Sequence, residues 1–209
     1  MVKKLLQTRL VLVGVCLLWS LVIGAGLYVM LRFEMTPGKG GSAPAIWPSQ
    51  SHLTRHPLLP TLVMLVHPRC TCSRASLQEL ARLITRFPGQ FSALVLFYTP
   101  AGAQDTWEKT DLWHTAAALP GVQAIRDING EEAMRFDAST SGYTALYDAS
   151  GHLLFHGGIT PARGHTGDNE GSRTIAALLT QQRADADHTF AFGCDLFAPD
   201  LTQEKNNAD

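Results

Sequence analysis

The chain opens on an unbroken apolar stretch, Leu10 to Leu31 (LVLVGVCLLWSLVIGAGLYVML), roughly 22 residues without a charge. As a helix it would span about 33 Å, enough for a hydrocarbon core about 30 Å thick. Residues 32–59 lose all periodicity and are rich in Gly, Pro and Ser, the composition of a flexible linker. Regular patterning starts at Thr61. Leu62 to Val66 is continuously apolar, as in a strand buried on both faces. Leu77, Leu80, Ala81, Ile84 and Phe87 then fall on one helical face, with Gln78, Glu79, Arg82 and Arg86 opposite, until Pro88-Gly89. Phe91 to Tyr98 reads as a second buried strand, 103–119 as a helix, Val122 to Ile125 as a third strand, and Glu131 to Phe136 as a short helix. Tyr143–Tyr147 and His152–His156 flank the turn residues Asp148-Ala149-Ser150-Gly151, predicting a hairpin, and Ile175 to Gln182 predicts a closing helix.

The order β-α-β-α-β-α-β-β-α calls for an α/β sheet covered by helices. Right-handed crossovers make its first strands parallel. Five regions result: an N-terminus at 1–9, a transmembrane anchor at 10–31, a flexible linker at 32–59, a folded domain at 60–183 and a tail at 184–209. The tail is polar and acidic except for the island Phe190 to Phe197, which contains Cys194. Three phenylalanines predict that the island packs back on the domain.

Lys3, Lys4 and Arg9 precede the apolar stretch, whereas Arg32, Glu34 and Lys39 follow it. The positive-inside bias therefore predicts a single-pass protein with a cytoplasmic N-terminus and a domain in the periplasm or another extracytoplasmic space. A cleaved signal peptide is the alternative. Its apolar core would be only about 7–15 residues long, and the small residues Ala43-Pro44-Ala45 lie too far behind this one. Cys16 within the stretch reads as an apolar filler. With 17 basic and 18 acidic residues among 209, the chain has no cationic excess for a nucleic-acid backbone.

Candidate chemistry gathers in His67-Pro68-Arg69-Cys70-Thr71-Cys72, between the first strand and its helix. Active groups in open α/β sheets collect beyond the carboxyl ends of the strands. A thiolate at a helix N-terminus is stabilised by unpaired N–H groups and the dipole, and Arg69 and Arg74 would add to this. Ser76 and Glu79 have capping-box spacing, so a helix starting at Ser76 is also compatible with the sequence. A Cys70–Cys72 disulfide would close a very small, strained and readily reduced ring. This favours a redox pair, with Cys70 attacking from an exposed position and Cys72 resolving. A structural disulfide to Cys194 and a metal site remain open alternatives.

A buried strand, a two-cysteine turn, a helix, further β-α units and a terminal hairpin plus helix together resemble the thioredoxin-like superfamily over about residues 60–183. More narrowly, HPRCTCSRASLQEL, SGYTALYD and GGITPARGHTGDNEG resemble the membrane-anchored RedB-type redox proteins. The resemblance implies a thioredoxin-like sheet with flanking helices behind one transmembrane helix, and a redox role. Two departures stand out. Only Thr71 separates the cysteines. The stretch matching the superfamily's cis-proline is Thr140-Ser141-Gly142-Tyr143, which places Ser141 and Gly142 in the groove where substrate binds and leaves room for a metal ion.

The last hairpin strand should run parallel to the first, so the glycine-rich loop 157–171 should overhang the cysteines. His165 there is a candidate base or ligand, and Arg163 a candidate for holding an anion or a thiolate. His67 stands where many thioredoxins carry an aromatic residue. Asp168-Asn169 suits a helix cap. The leading expectation is a cofactor-free thiol–disulfide oxidoreductase acting on protein thiols or disulfides, coupled to a membrane-bound electron donor or acceptor. The alternative is a copper-handling protein in which Cys70, Cys72, Cys194 and His165 bind Cu(I).

Overall fold

The computed structural model describes residues 2–184 and 186–197, which form two units, one ending at Thr36 and one beginning at Pro37. The first is a single helix, α1 (Val2–Met35). Its stretch Leu6–Met35 is long and apolar enough to cross a membrane, and none of it is buried. Leu10, Leu17, Trp19 and Leu21 all lie open. Its length and apolar composition are those of a membrane-crossing helix. It extends beyond the expected 10–31 because nothing in the flanks breaks a helix before Thr36-Pro37.

The second unit is built on a five-stranded sheet in the order β3-β2-β1-β4-β5. In chain order its elements are β1 (Thr61–Val66), α2 (Cys72–Arg86), β2 (Ser92–Thr99), α3 (Asp111–Ala117), β3 (Val122–Ile128), α4 (Glu131–Arg135), β4 (Tyr143–Tyr147), β5 (Leu153–Gly157) and α5 (Glu170–Leu179). β2 runs parallel to β1 and β3 parallel to β2, while β4 is antiparallel to β1 and β5 antiparallel to β4. This is the thioredoxin-like arrangement, and it brings β5 parallel to β1, as expected.

Every residue of β1 is buried. Leu62, Met64 and Val66 pack with Leu77, Leu80 and Leu83 of α2, Leu112 of α3 and Ile175 of α5. Val63 and Leu65 pack on the other face with Ala133 of α4, Phe136 and Tyr147. Period-two alternation thus serves two cores, which is why the strand reads as one continuous apolar run.

Three expectations need correction. The helix expected over 103–119 shrinks to Asp111–Ala117. Residues 101–108 form turns that sink Trp107 against Tyr98 and His67, and this burial outweighs helix propensity. The closing helix starts five residues early, at Glu170, because the Asn169 side chain accepts from the Ser172 N–H at 2.8 Å. The flexible linker is, from Pro37 onward, a strap lying on the domain. Trp47 meets Phe136 and Tyr147 edge-on, both at 5.1 Å. The Tyr147 hydroxyl donates to the Pro44 carbonyl at 2.9 Å, and the Ala43 N–H donates to the Tyr143 hydroxyl at 3.0 Å. Glycine here permits close approach: a Cβ at Gly41 would sit 2.2 Å from the Asp137 carbonyl oxygen.

The tail also folds back as far as Phe197, and the rest of the expected tail, 198–209, lies outside the described residues. Leu196 is buried and the Phe197 ring meets Tyr98 at 5.6 Å, but Phe190 is 71% exposed, against the expectation for all three phenylalanines.

Because the strap is part of the core, Trp47→Ala should lower the stability of the folded domain by ~2 kcal/mol, read as a lower urea midpoint with the slope unchanged. A freely moving linker would show no shift.

Candidate functional site

β1 delivers the chain into a tight turn. The Cys70 N–H donates to the His67 carbonyl at 3.0 Å and the Ser73 N–H to the Cys70 carbonyl at 3.1 Å. α2 begins at Cys72, not at Ser76. The capping-box glutamate is engaged elsewhere: Glu79, buried, accepts from the Gly167 N–H at 2.7 Å and from Arg82 at 2.5 Å. That pairing ties the 157–171 loop to α2.

Ser141 holds the corner together. Its hydroxyl oxygen accepts from the His67 N–H at 2.7 Å and lies 2.6 Å from the Ser73 hydroxyl oxygen. Its own N–H donates to the Cys194 carbonyl at 2.9 Å. Gly142 follows with a φ of 90°, donating to the Leu65 carbonyl at 2.7 Å. A Cβ at Gly142 would meet the Ser76 hydroxyl at 2.6 Å. Of the two residues expected to bind substrate, Ser141 is tied to both ends of the cysteine turn and to Cys194, and Gly142 to the end of β1.

The C-terminal segment completes the site. Thr140 and Asp195 form an antiparallel bridge, and the Leu196 N–H donates to the Ser139 carbonyl at 2.9 Å. The Cys194 sulfur thereby arrives beside the pair, and the sulfurs of Cys70, Cys72 and Cys194 all lie within 4.8 Å of one another. Cys70, expected at an exposed mouth, is only 4% exposed, whereas Cys72 and Cys194 are half-buried.

The three thiols share their protons unequally. The Cys194 thiol donates to the Cys70 sulfur, which together with Ser73 outweighs burial and pulls Cys70 down to about 4. Burial and the Cys70 charge push Cys72 up, opposed by Cys194 and the positive Arg163. Cys194 is pushed far above the ordinary thiol value by donating to Cys70, and by its burial. Ionisation is therefore favoured at Cys70 and disfavoured at the other two sulfurs. The acidity of Cys70 comes mainly from donors to sulfur. The flanking arginines face elsewhere: Arg69 lies over Trp107, 5.0 Å from the ring centroid, and Arg74 pairs with Asp111.

His67 is a packed residue, stacked 5.9 Å from Tyr98 and edge-on to Trp107 at 5.7 Å, with its Nδ1 accepting from the Arg69 N–H at 3.2 Å. Arg163 donates to the Gly193 carbonyl, next to Cys194. His165 is exposed on the same loop and lies outside the sulfur group, which among the described residues consists of the three cysteines. Sequence reasoning missed Ser73 as a donor to Cys70. Its direct succession to the Cys-Thr-Cys motif was the available signal.

Titrating the thiolate absorbance of the full chain should show one thiolate at neutral pH that disappears near pH 4, and Cys70→Ser should abolish it. Cys194→Ala removes the leading donor, so the loss should move to higher pH. Cys194→Ser, which keeps a donor, should move it less.

No protein-family model matches the chain, and no curated protein matches it in sequence. Its fold is similar to two solved structures. One is a hypothetical protein from Sinorhizobium meliloti, 18% identical, covering 78% of this chain and 95% of that one with a TM-score of 0.56. The other is an uncharacterised conserved protein from Geobacillus kaustophilus, 17% identical, covering 79% and 93% with a TM-score of 0.56. At these identities the likeness shows a shared α/β fold and says nothing of substrate.

Proposed function

We propose that this chain is a membrane-anchored thiol–disulfide oxidoreductase of the RedB type, acting on protein thiols or disulfides outside the cytoplasm. The observation that carries the reading is the gathering of three sulfurs within 4.8 Å at the β1–α2 corner of a thioredoxin-like sheet. Sulfurs so close exchange disulfides without large movement of the backbone. α1 is the anchor, and Lys3, Lys4 and Arg9 before its apolar stretch favour a cytoplasmic N-terminus. A membrane-bound donor or acceptor would then set the direction of electron flow. Arg163 supports the chemistry by holding its charge near Cys72.

The same sulfurs favour a second reading, Cu(I) handling. Cys70, Cys72 and Cys194 are soft donors already converged, and they fit a three-thiolate site without His165.

The test equilibrates the full chain in detergent micelles over a range of glutathione redox ratios and counts thiols. One two-electron couple, abolished by Cys70→Ser, is the expected result. Absence of any couple, together with one-to-one Cu(I) uptake against a competing chelator, would replace the redox reading with the copper one. In that case Cys72→Ser and Cys194→Ser should both weaken uptake sharply, while His165→Ala should leave it unchanged.

A further inference from the structure

We propose that the oxidised form of this protein is bridged between Cys70 and Cys194, and that Cys72 is the entry thiol, returned free at the end of each cycle. This rests on the thiol–disulfide reading above and names the partner of each sulfur within it.

Cys194 is held at Cys70 by its backbone and by its neighbours in the chain. The Ser141 N–H to Cys194 carbonyl bond and the Leu196 N–H to Ser139 carbonyl bond, both 2.9 Å, fix the segment at and just after it. Gly193 passes so close that a Cβ there would lie 1.9 Å from the Ser141 carbonyl oxygen. Lys39 pairs with Asp195 at 2.8 Å, and Leu196 is buried in the core. A thiol pre-positioned in this way needs little further ordering to react.

Cys72 is poorly placed to be the lasting partner. It is the first residue of α2, and the turn bonds at Cys70 and Ser73 fix the backbone between the two cysteines. Closing a bond across a single intervening residue there departs from relaxed disulfide geometry, so the bond exchanges readily. Exposure separates the roles further. Cys70 is buried at the centre, and Cys72 is half-buried beside the Arg163 charge.

The sequence of bonds follows. Cys72 loses its proton and attacks a client disulfide, R–S–S–R′, forming Cys72–S–S–R. The released R′ sulfur takes up a proton. The Cys70 thiolate then attacks the Cys72 sulfur, forming Cys70–Cys72 and expelling the R thiolate, which takes a proton from solvent. Finally the Cys194 sulfur attacks Cys70, forming Cys70–Cys194, and the Cys194 proton ends on Cys72. Cys70 and Cys194 have lost two electrons, the client disulfide has become two thiols, and Cys72 is again a thiol. The reverse sequence oxidises a client dithiol.

The full chain in detergent micelles is equilibrated with glutathione disulfide, quenched in acid, alkylated and digested. Mass spectrometry then locates the cross-link, with fragmentation of the Cys70-Thr71-Cys72 peptide distinguishing the two sulfurs. A Cys70–Cys194 cross-link with Cys72 alkylated is the expected result. Cys72→Ser should still form that bond, but react with glutathione disulfide about tenfold more slowly or worse. Cys194→Ser should leave only the strained bond, with its equilibrium against glutathione moved about tenfold or more toward the thiols. A wild-type Cys70–Cys72 cross-link with Cys194 alkylated overturns the inference and leaves the redox function standing. An unchanged rate in Cys72→Ser overturns the entry role. Absence of any cross-link at every glutathione ratio overturns the function itself.

Discussion

The hydroxyl group of Ser141 is where three separate parts of the chain are made to agree. Its oxygen is bonded to the His67 N–H at the exit of β1 and to the Ser73 hydroxyl at the entry of α2, and the backbone N–H of the same residue holds the Cys194 carbonyl. Ser141 is almost fully buried, so losing any of these partners would leave a polar group unsatisfied where water does not compensate. The spacing of the three sulfurs is a consequence of those bonds. Gly142 then turns the chain into β4 with a backbone conformation and a clearance from Ser76 that a side chain would not allow.

Bringing three thiols together has an electrostatic consequence. Only one ionises readily, because the other two are stabilised as donors to it and disfavoured as neighbouring charges. Such a site favours negative charge on Cys70 and protons on the other two sulfurs. The same arrangement is a soft donor set, so exchange chemistry and soft-metal chemistry draw on one geometry.

Both flanking segments of the domain are working parts of it. The strap from Pro37 and the segment through Cys194 meet where the Gly38 N–H donates to the Ala191 carbonyl at 2.9 Å and Lys39 pairs with Asp195. The strap closes the α4 face of the core through Trp47, and the segment around Cys194 supplies the third sulfur. Glycines at 38, 41 and 193 mark the places where backbone approaches backbone or a buried side chain too closely for a Cβ.

By itself the sequence determined what local periodicity and covalent proximity can encode. The apolar run of α1, the doubly buried β1, the amphipathic face of α2 and the β4–β5 hairpin are each written in a few neighbouring residues. Cys70 and Cys72 are adjacent at a strand–helix junction in any fold with this order of elements. Tertiary structure alone decided the rest: that the Gly- and Pro-rich strap lays Ala43, Trp47 and Leu53 on the core, that Trp107 interrupts an expected helix, that Cys70 is covered, and that Cys194 joins it from 124 positions away. The reason is physical. A glycine reads the same whether it frees the chain or lets two backbones touch, and a distant cysteine carries no mark of its neighbours until burial and hydrogen bonding choose them.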